Sequence, residues 1–586
     1  MLRRYWRAGL AVLVYLLVAL FAFSHLWGAS APATQANSGP DPGQSIWFLS
    51  YWAWSLVHGH PTLSTALVNE PHGFNLIDNP SIAFPALLVL PVTLLAGPMN
   101  AYYTAVTIAL AGSGVACYAL IRRLTRWWGA ALIGGLAFEI SPYMVGQASQ
   151  HIHLAFVAIP PLIALVLYEL CAPRTSLRPE ILGLILAGLT IAQFFTSSEV
   201  LDSTAVMAVV TLVVAALVHL AARRPFGAIA ERVGRAGAVC VVVAGGVLAY
   251  PVWYAISGPQ HVHGLASPPV PFRADLAGIV VPTSLQALAP AAAVHMSSHF
   301  VEGNLQENGS YLGVPLVLVC IIGAIWLRRR PVAKVTAVTM AVAFVLSLGS
   351  SLTVTGSTVP PGHGWLPGRL LYHLPLGSDV IAVRFSMYTA LGAVVLLALV
   401  LDQLRVWVAE RTRIPVVRDL STLAVAAVCL IPLVPEWPYR TQPVPVPAFF
   451  TSSAVRSIAP GTNVLLYPYP ALAVDVGAPM VWQAESFMRF RIVGGYYESG
   501  DNNPFYTRYT RTYLTLQSVY VGLPPTLTHA LRAEIFAEMQ QARVTMILAD
   551  PSGPAGPRGV AFLTALVGRA PARVGGVAIW RDVSWR

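Results

Sequence analysis

Charge is what this sequence has least of. Only 10% of its 586 residues are Asp, Glu, Lys or Arg, against about a quarter in an ordinary soluble domain. A surface of this size cannot be clothed for water with so few charges. With 56% hydrophobic residues and a mean hydropathy of +0.64, lipid must be the solvent for much of the chain. Lysine is nearly missing, Lys334 being the single one among 36 basic residues, and the surplus of Arg, Ala, Val, Gly and Pro is that of a high-GC bacterial genome. Cysteine is scarce as well. Cys117, Cys171, Cys240, Cys320 and Cys429 lie within or at the ends of apolar runs without C-x-x-C spacing. That excludes a disulfide framework and a structural zinc site and leaves them as packing residues. No phosphate-cradling glycine loop, dinucleotide fingerprint or G-x-S-x-G elbow occurs, so nucleotide-driven chemistry has no support.

The formal net charge of +11 does not mark a nucleic-acid binder. Its arginines form short clusters that punctuate apolar runs, whereas nucleic-acid binders gather theirs on one face. Stretches of about 20 apolar residues, the length that crosses a bilayer, place eleven spans near 8–27, 100–121, 128–141, 152–170, 181–197, 201–221, 236–256, 311–327, 333–350, 386–407 and 420–435. With the N-terminus inside, the cytoplasmic segments hold 20 basic residues, from Arg3 and Arg4 through Arg174 and Arg224 to Arg418. The outer loops before residue 436 hold three, Arg273, Arg369 and Arg384. Basic residues favour cytoplasmic loops, and a missing span would invert everything downstream of it. The expectation is a multi-pass plasma (inner) membrane protein, N-in and C-out, with an uncleaved first helix in preference to a signal peptide.

Residues 28–99 form a long outer loop without Lys or Arg. Its segments IWFLSYWAWSLVHG and SIAFPALLVLPVTLLAG read as helices lying in the membrane interface. After residue 436 the pattern changes. TNVLLYPYP, RVTMILAD and GGVAIWRDV read as strands, THALRAEIFAEMQQA and VAFLTALVGR as helices. The expected fold class is a polytopic α-helical membrane protein with a C-terminal extracytoplasmic α/β domain: residues 1–435 for the first part, 436–586 for the second.

Thirteen of the 14 histidines, all but His219, fall on the outer side in this topology, as do Asp41, Glu70 and Asp78. Polar groups are costly in a membrane protein, so the chemistry is expected outside. Asp41, in SGPDPGQSIWFLSYW, has two readings that can both hold: an N-cap followed by Pro at the first helical position, or a carboxylate held as general base. Glu70, His72 and Asp78 share the turn-rich NEPHGFNLIDNPS. His151 and His153 sit at the mouth of the fourth span. They, like His261 and His263, read better as interfacial polar pairs than as metal ligands. Glu307 precedes the eighth span. Arg384 begins the tenth, where it can snorkel to a lipid head group or hold a phosphate.

An outward site without nucleotide needs a substrate that arrives in the membrane. The long first outer loop with its acidic residue, the interfacial helices, the many spans and the C-terminal domain together resemble the GT-C superfamily of membrane glycosyltransferases. DPGQSIWFLSYW, NEPHGFNL, SPYMVGQASQHIHLAF, ENGSYLGVP and VRFSMY are similar to an uncharacterised bacterial group within it. The resemblance implies transfer of a monosaccharide from a polyprenyl-phosphate donor to a cell-envelope glycan or lipoglycan acceptor on the outer face, usually with inversion. Arabinose or mannose is the sugar it suggests. It implies Asp41 as general base, Arg384 against the leaving phosphate, and Glu70, Asp78, His151, His153 and Glu307 around the substrates, facing Asp41. Many relatives carry two adjacent acidic residues where Asp41 stands alone. No metal ligand is therefore assigned, and a divalent cation is the one cofactor left open. The rival readings are a transporter or flippase of lipid-linked sugars and a catalytically inactive scaffold. Against transport, no internal repeat or paired broken helices are visible.

Overall fold

The computed structural model describes residues 2–27, 34–35, 39–60, 62–172, 175, 177–223, 227–263, 272–359, 364–373, 380–437, 439, 441–470, 477–500 and 510–585. Arg174 and Arg224 of the basic clusters, and residues 374–379 after the 3-10 turn Pro367–His373, lie outside them. The chain forms two compact units. One comprises Met1–His25, Val106–Leu248 and Pro268–Arg440; the other comprises Leu26–Ala105, Ala249–Ser267 and Thr441–Arg586.

The first unit is a helical bundle. Its central element, Ser386–Ala409, is buried along most of its length because Leu, Val and Ala occupy every side of it. A helix apolar all round belongs inside a bundle. Glycines let its neighbours approach: a Cβ on Gly392 would lie 2.7 Å from Met340, and one on Gly323 2.5 Å from Val400. Asp402 accepts from the backbone N–H of Arg126 (3.1 Å) and Trp127 (2.8 Å), satisfying donors that the start of helix Trp128–Glu139 leaves open. Outer helices such as Ser198–Ala221 expose Val209, Val213 and Leu217, as lipid-facing surfaces do.

Six helices among the described residues are long and apolar enough to cross a membrane, or seven if the pair Trp128–Glu139 and Pro142–Gln150, bent by 44°, is one span. The remaining expected spans fall on Trp6–Ala22, Pro179–Phe194, Val314–Trp326 and Pro331–Ser347, apolar helices of 17 residues or fewer. At 1.5 Å per residue these are about 20–26 Å long, short of the roughly 30 Å of a hydrocarbon core.

The second unit contains a five-stranded sheet. We label its strands β1 (Thr462–Tyr467), β2 (Phe490–Ile492), β3 (Met546–Ala549), β4 (Ala572–Val574) and β5 (Val577–Trp580). The order is β4-β5-β3-β1-β2, with β1 parallel to both β2 and β3 and the β3-β5-β4 side antiparallel. Helices Arg511–Tyr520, His529–Gln541 and Gly556–Val567 cover it, around Leu465, Tyr467, Ile547, Leu563 and Trp580. The first long loop belongs to this unit. Backbone N–H groups of Asn69 and Glu70 donate to Gly494 and Ile492 beside β2.

Helix Pro40–Val57 is packed by protein on all sides rather than along one stripe, because its aromatics point in every direction: Trp47, Phe48, Tyr51 and Trp52 are all buried. It crosses helix Ala478–Glu485, with Trp47 Nε1 donating to Gln483 (2.6 Å) and Ser50 Oγ to the Ala484 carbonyl (2.9 Å). The crossing requires glycine, since a Cβ on Gly43 would sit 2.7 Å from the Gly477 oxygen. Gly43→Ala is expected to cost about 1–3 kcal/mol by overpacking, read as a lower melting temperature of the purified protein. The second apolar segment breaks into Ala83–Leu88 and Leu90–Ala96 and exposes Leu87, Leu88, Leu94 and Leu95.

Candidate functional site

Arg384 occupies the short 3-10 turn Ala382–Phe385 that leads into the central helix of the first unit. It does not snorkel. The residue is 4% exposed, and its guanidinium lies between two carboxylates: Nε donates to Glu199 (3.0 Å) and Nη1 to Glu307. Glu199 also accepts from the Ile381 backbone N–H. Glu307 accepts from Gln147 Nε2 (3.1 Å), and its other oxygen stands 3.5 Å from His151 Nδ1. The same ring nitrogen is 2.8 Å from Gln147 Oε1, and the rings of His151 and His153 lie 5.9 Å apart, edge to face.

Local sequence explains this convergence. A helix break at His151 turns its ring back over Gln147, one turn earlier. Glycines bring the Glu307 loop against the Pro142–Gln150 helix, because a Cβ on Gly146 would be 2.8 Å from the Gln306 oxygen and one on Gly309 2.7 Å from Tyr143. Of the expected site residues, Arg384, Glu307, His151 and His153 therefore meet in one place, joined by Glu199; Gln147, also present, was passed over by the sequence reading. Glu139 lies elsewhere, against Tyr15 and Gly114, with neither carboxylate oxygen hydrogen-bonded.

In the second unit the N-cap reading of Asp41 is corrected. The cap is Gly39, and the helix begins at Pro40, leaving Asp41 in the first turn. Pro40 and Pro42 both lack an N–H, so this turn has few donors to satisfy. The Asp41 carboxylate accepts instead from the Tyr496 hydroxyl at 3.2 Å. Tyr496 was not singled out from the sequence, although the pair Gly494-Gly495 before it was a readable sign of an unusual turn.

Glu70 and Asp78 occupy separate places in this unit. Glu70 accepts from Asn463 Nδ2 on β1 (3.2 Å) and faces Arg491 on β2 at 3.6 Å, an arrangement that ties the loop to the sheet edge. Asp78 accepts from the Val262 backbone N–H at 3.0 Å, beside His261, whose ring centroid is 4.2 Å from that of His263. Among the described residues no group of three His, Cys, Asp or Glu side chains could hold a metal ion.

Burial raises the Asp78 carboxyl to about 6, and burial raises Glu485, which accepts from the Met99 backbone N–H, to about 7. Both groups hold their protons more tightly when folded than when unfolded. The stability linked to this is present at low pH and is lost as pH rises through 6 and 7. The protein is expected to melt higher at pH 5.5 than at pH 8. The double variant Asp78→Asn with Glu485→Gln should flatten that dependence by about 1–3 kcal/mol per group, measured by thermal melting across the pH range.

No protein-family description matches the sequence, and no curated protein matches it. Solved structures do. The chain superposes on an arabinofuranosyltransferase from mycobacteria with a TM-score of 0.56 at 12% identity, over 99% of this chain and 40% of that one. It superposes on the oligosaccharyltransferase of Archaeoglobus fulgidus, tethered to an acceptor peptide, with a TM-score of 0.50 at 11% identity, over 93% of this chain and 69% of that one. The chain has the GT-C fold of these two structures, and it is a multi-pass membrane protein. It spans two fifths of the mycobacterial enzyme's length.

Proposed function

We propose that this protein transfers a monosaccharide from a polyprenyl-phosphate donor to a cell-envelope glycan or lipoglycan on the outer face of the plasma membrane. The observation that carries the reading is the GT-C fold along 99% of the chain, with a carboxylate, Asp41, in the first turn of the first long helix of the second unit. Neighbours in fold are a transferase of arabinofuranose and one that glycosylates a peptide acceptor, and arabinose is the first sugar to try. The chain is taken as N-in and C-out with eleven spans, which puts the second unit outside.

In this mechanism the Asp41 carboxylate takes the proton of the acceptor hydroxyl. The acceptor oxygen forms the new bond to the anomeric carbon, the carbon–oxygen bond to phosphate breaks, and polyprenyl phosphate leaves with the electron pair, inverting the centre. Arg384 offers positive charge to the phosphate, with His151 and His153 beside it. One guanidinium already faces two carboxylates there. An anion therefore binds when Glu307 releases Arg384. Glu70 ties the loop to the sheet, and Asp78 offers a polar contact to the acceptor. No step is assigned to a metal ion.

The test is incubation of the protein in lipid vesicles with radiolabelled polyprenyl-phospho-arabinose and polyprenyl-phospho-mannose and an envelope glycan fraction. Label in the glycan supports transfer. Label that crosses the bilayer still attached to lipid supports a flippase instead, and neither outcome with any donor leaves the scaffold reading.

A further inference from the structure

The first turn of helix Pro40–Val57 presents two side chains, three residues apart and so on one face, and both close on the same tyrosine. Asp41 Oδ1 accepts from the Tyr496 hydroxyl at 3.2 Å, and Gln44 Nε2 donates to the Tyr496 carbonyl at 2.9 Å. The Met480 sulfur lies 3.4 Å from the Tyr496 nitrogen. Tyr496 is thus held at its backbone carbonyl, its backbone nitrogen and its hydroxyl at once.

The segment that delivers it tolerates little change. Gly494 and Gly495 take φ of +84° and +144°, conformations that side chains strongly disfavour. A Cβ on Gly494 would lie 2.5 Å from Tyr469, and one on Gly495 2.2 Å from Val68. The next residue, Tyr497, stacks on Phe74 with ring centroids 5.4 Å apart and is itself buried. So many constraints on one turn go beyond what a surface tyrosine needs. They fix where its hydroxyl ends.

We propose that Tyr496 is the positioning residue of the Asp41 carboxylate: its hydroxyl donates to that carboxylate and fixes its place for proton abstraction from the acceptor. The inference rests on the glycosyl-transfer reading for its purpose, and on the Asp41–Tyr496–Gln44 geometry for its substance. A phenol keeps its proton at neutral pH and donates it. Tyr496 therefore does not compete for the role of base. A hydrogen bond to the charged form of a carboxylate favours that form, and Tyr496 supplies one to Asp41.

The test reads Asp41 directly. Protein with ¹³C-labelled aspartate carboxyls is placed in lipid nanodiscs, and the resonance absent from Asp41→Asn assigns Asp41. In Tyr496→Phe its titration midpoint should rise by about one pH unit, as expected for a lost hydrogen bond to a charged group. Gln44→Ala, which removes the side-chain donor to the Tyr496 carbonyl, should move it the same way by less. The Asp78 resonance, with its midpoint near 6, reports whether the fold is retained. Should Tyr496→Phe disturb Asp78, Gln44→Ala decides the matter. An Asp41 midpoint unchanged in the variants that keep Asp78 in place overturns the proposal. In the transfer assay kcat should fall about tenfold in Tyr496→Phe with little change in KM, and the acid limb of its pH profile should move up with the midpoint. Wild-type turnover by Asp41→Asn would instead reject the base reading, and the two failures are separate.

Discussion

Asp41→Asn should reduce sugar transfer by about 10²- to 10⁴-fold, the usual contribution of a positioned general base, and leave the melting temperature nearly unchanged. Asparagine has almost the same shape, and its amide oxygen still accepts from Tyr496 across the 3.2 Å now spanned to the carboxylate. What it loses is the ability to receive a proton. Gln44 continues to hold the Tyr496 carbonyl, so the turn stays in place and the defect should fall on kcat rather than on donor KM. Equal turnover by wild type and variant in the vesicle assay, with both folded, would end the assignment of Asp41.

Arg384→Met should be the most destabilising single change. Removing the guanidinium leaves Glu199 and Glu307, the latter 3% exposed, facing each other's charge in the bundle interior. Breaking a buried ion network in this way costs about 3–5 kcal/mol. Thermal unfolding in detergent would show it as an early loss of the helical signal. Arg384→Met combined with Glu307→Gln should recover part of the loss, because one uncompensated charge is then gone. A melting curve for Arg384→Met that overlays wild type would mean the carboxylates do not depend on the arginine. Arg384→Lys is expected to fall between, since an ammonium cannot reach two carboxylates in the planar fork that Nε and Nη1 now use.

The membrane character and the places of the main helices could be read in the sequence because they depend on local composition. A run of 20 apolar residues needs no partner to declare itself, and the segments TNVLLYPYP, RVTMILAD and GGVAIWRDV carry the short apolar runs that become the buried strands β1, β3 and β5. The short strands β2 and β4 and helix Ala478–Glu485 carry no such pattern; they exist because they pack against neighbours. The aromatic segment after Asp41 looked like one face of an interfacial helix. Its tryptophans and tyrosines are instead enclosed by residues from far along the chain, such as Gln483.

Chemistry followed the same division. Residue type and rarity singled out Arg384 as one of three basic residues in the outer loops, and Asp41 as an acid just past the first span. Composition and spacing could do that much unaided, since they record which groups are expensive where they stand. Which groups answer them was decided by tertiary structure alone. Arg384 is met by Glu199 and Glu307, 185 and 77 residues away, and Asp41 by Tyr496, 455 residues away. A hydrogen bond depends on distance and angle in space, and no periodicity along the chain records a pairing between segments so far apart.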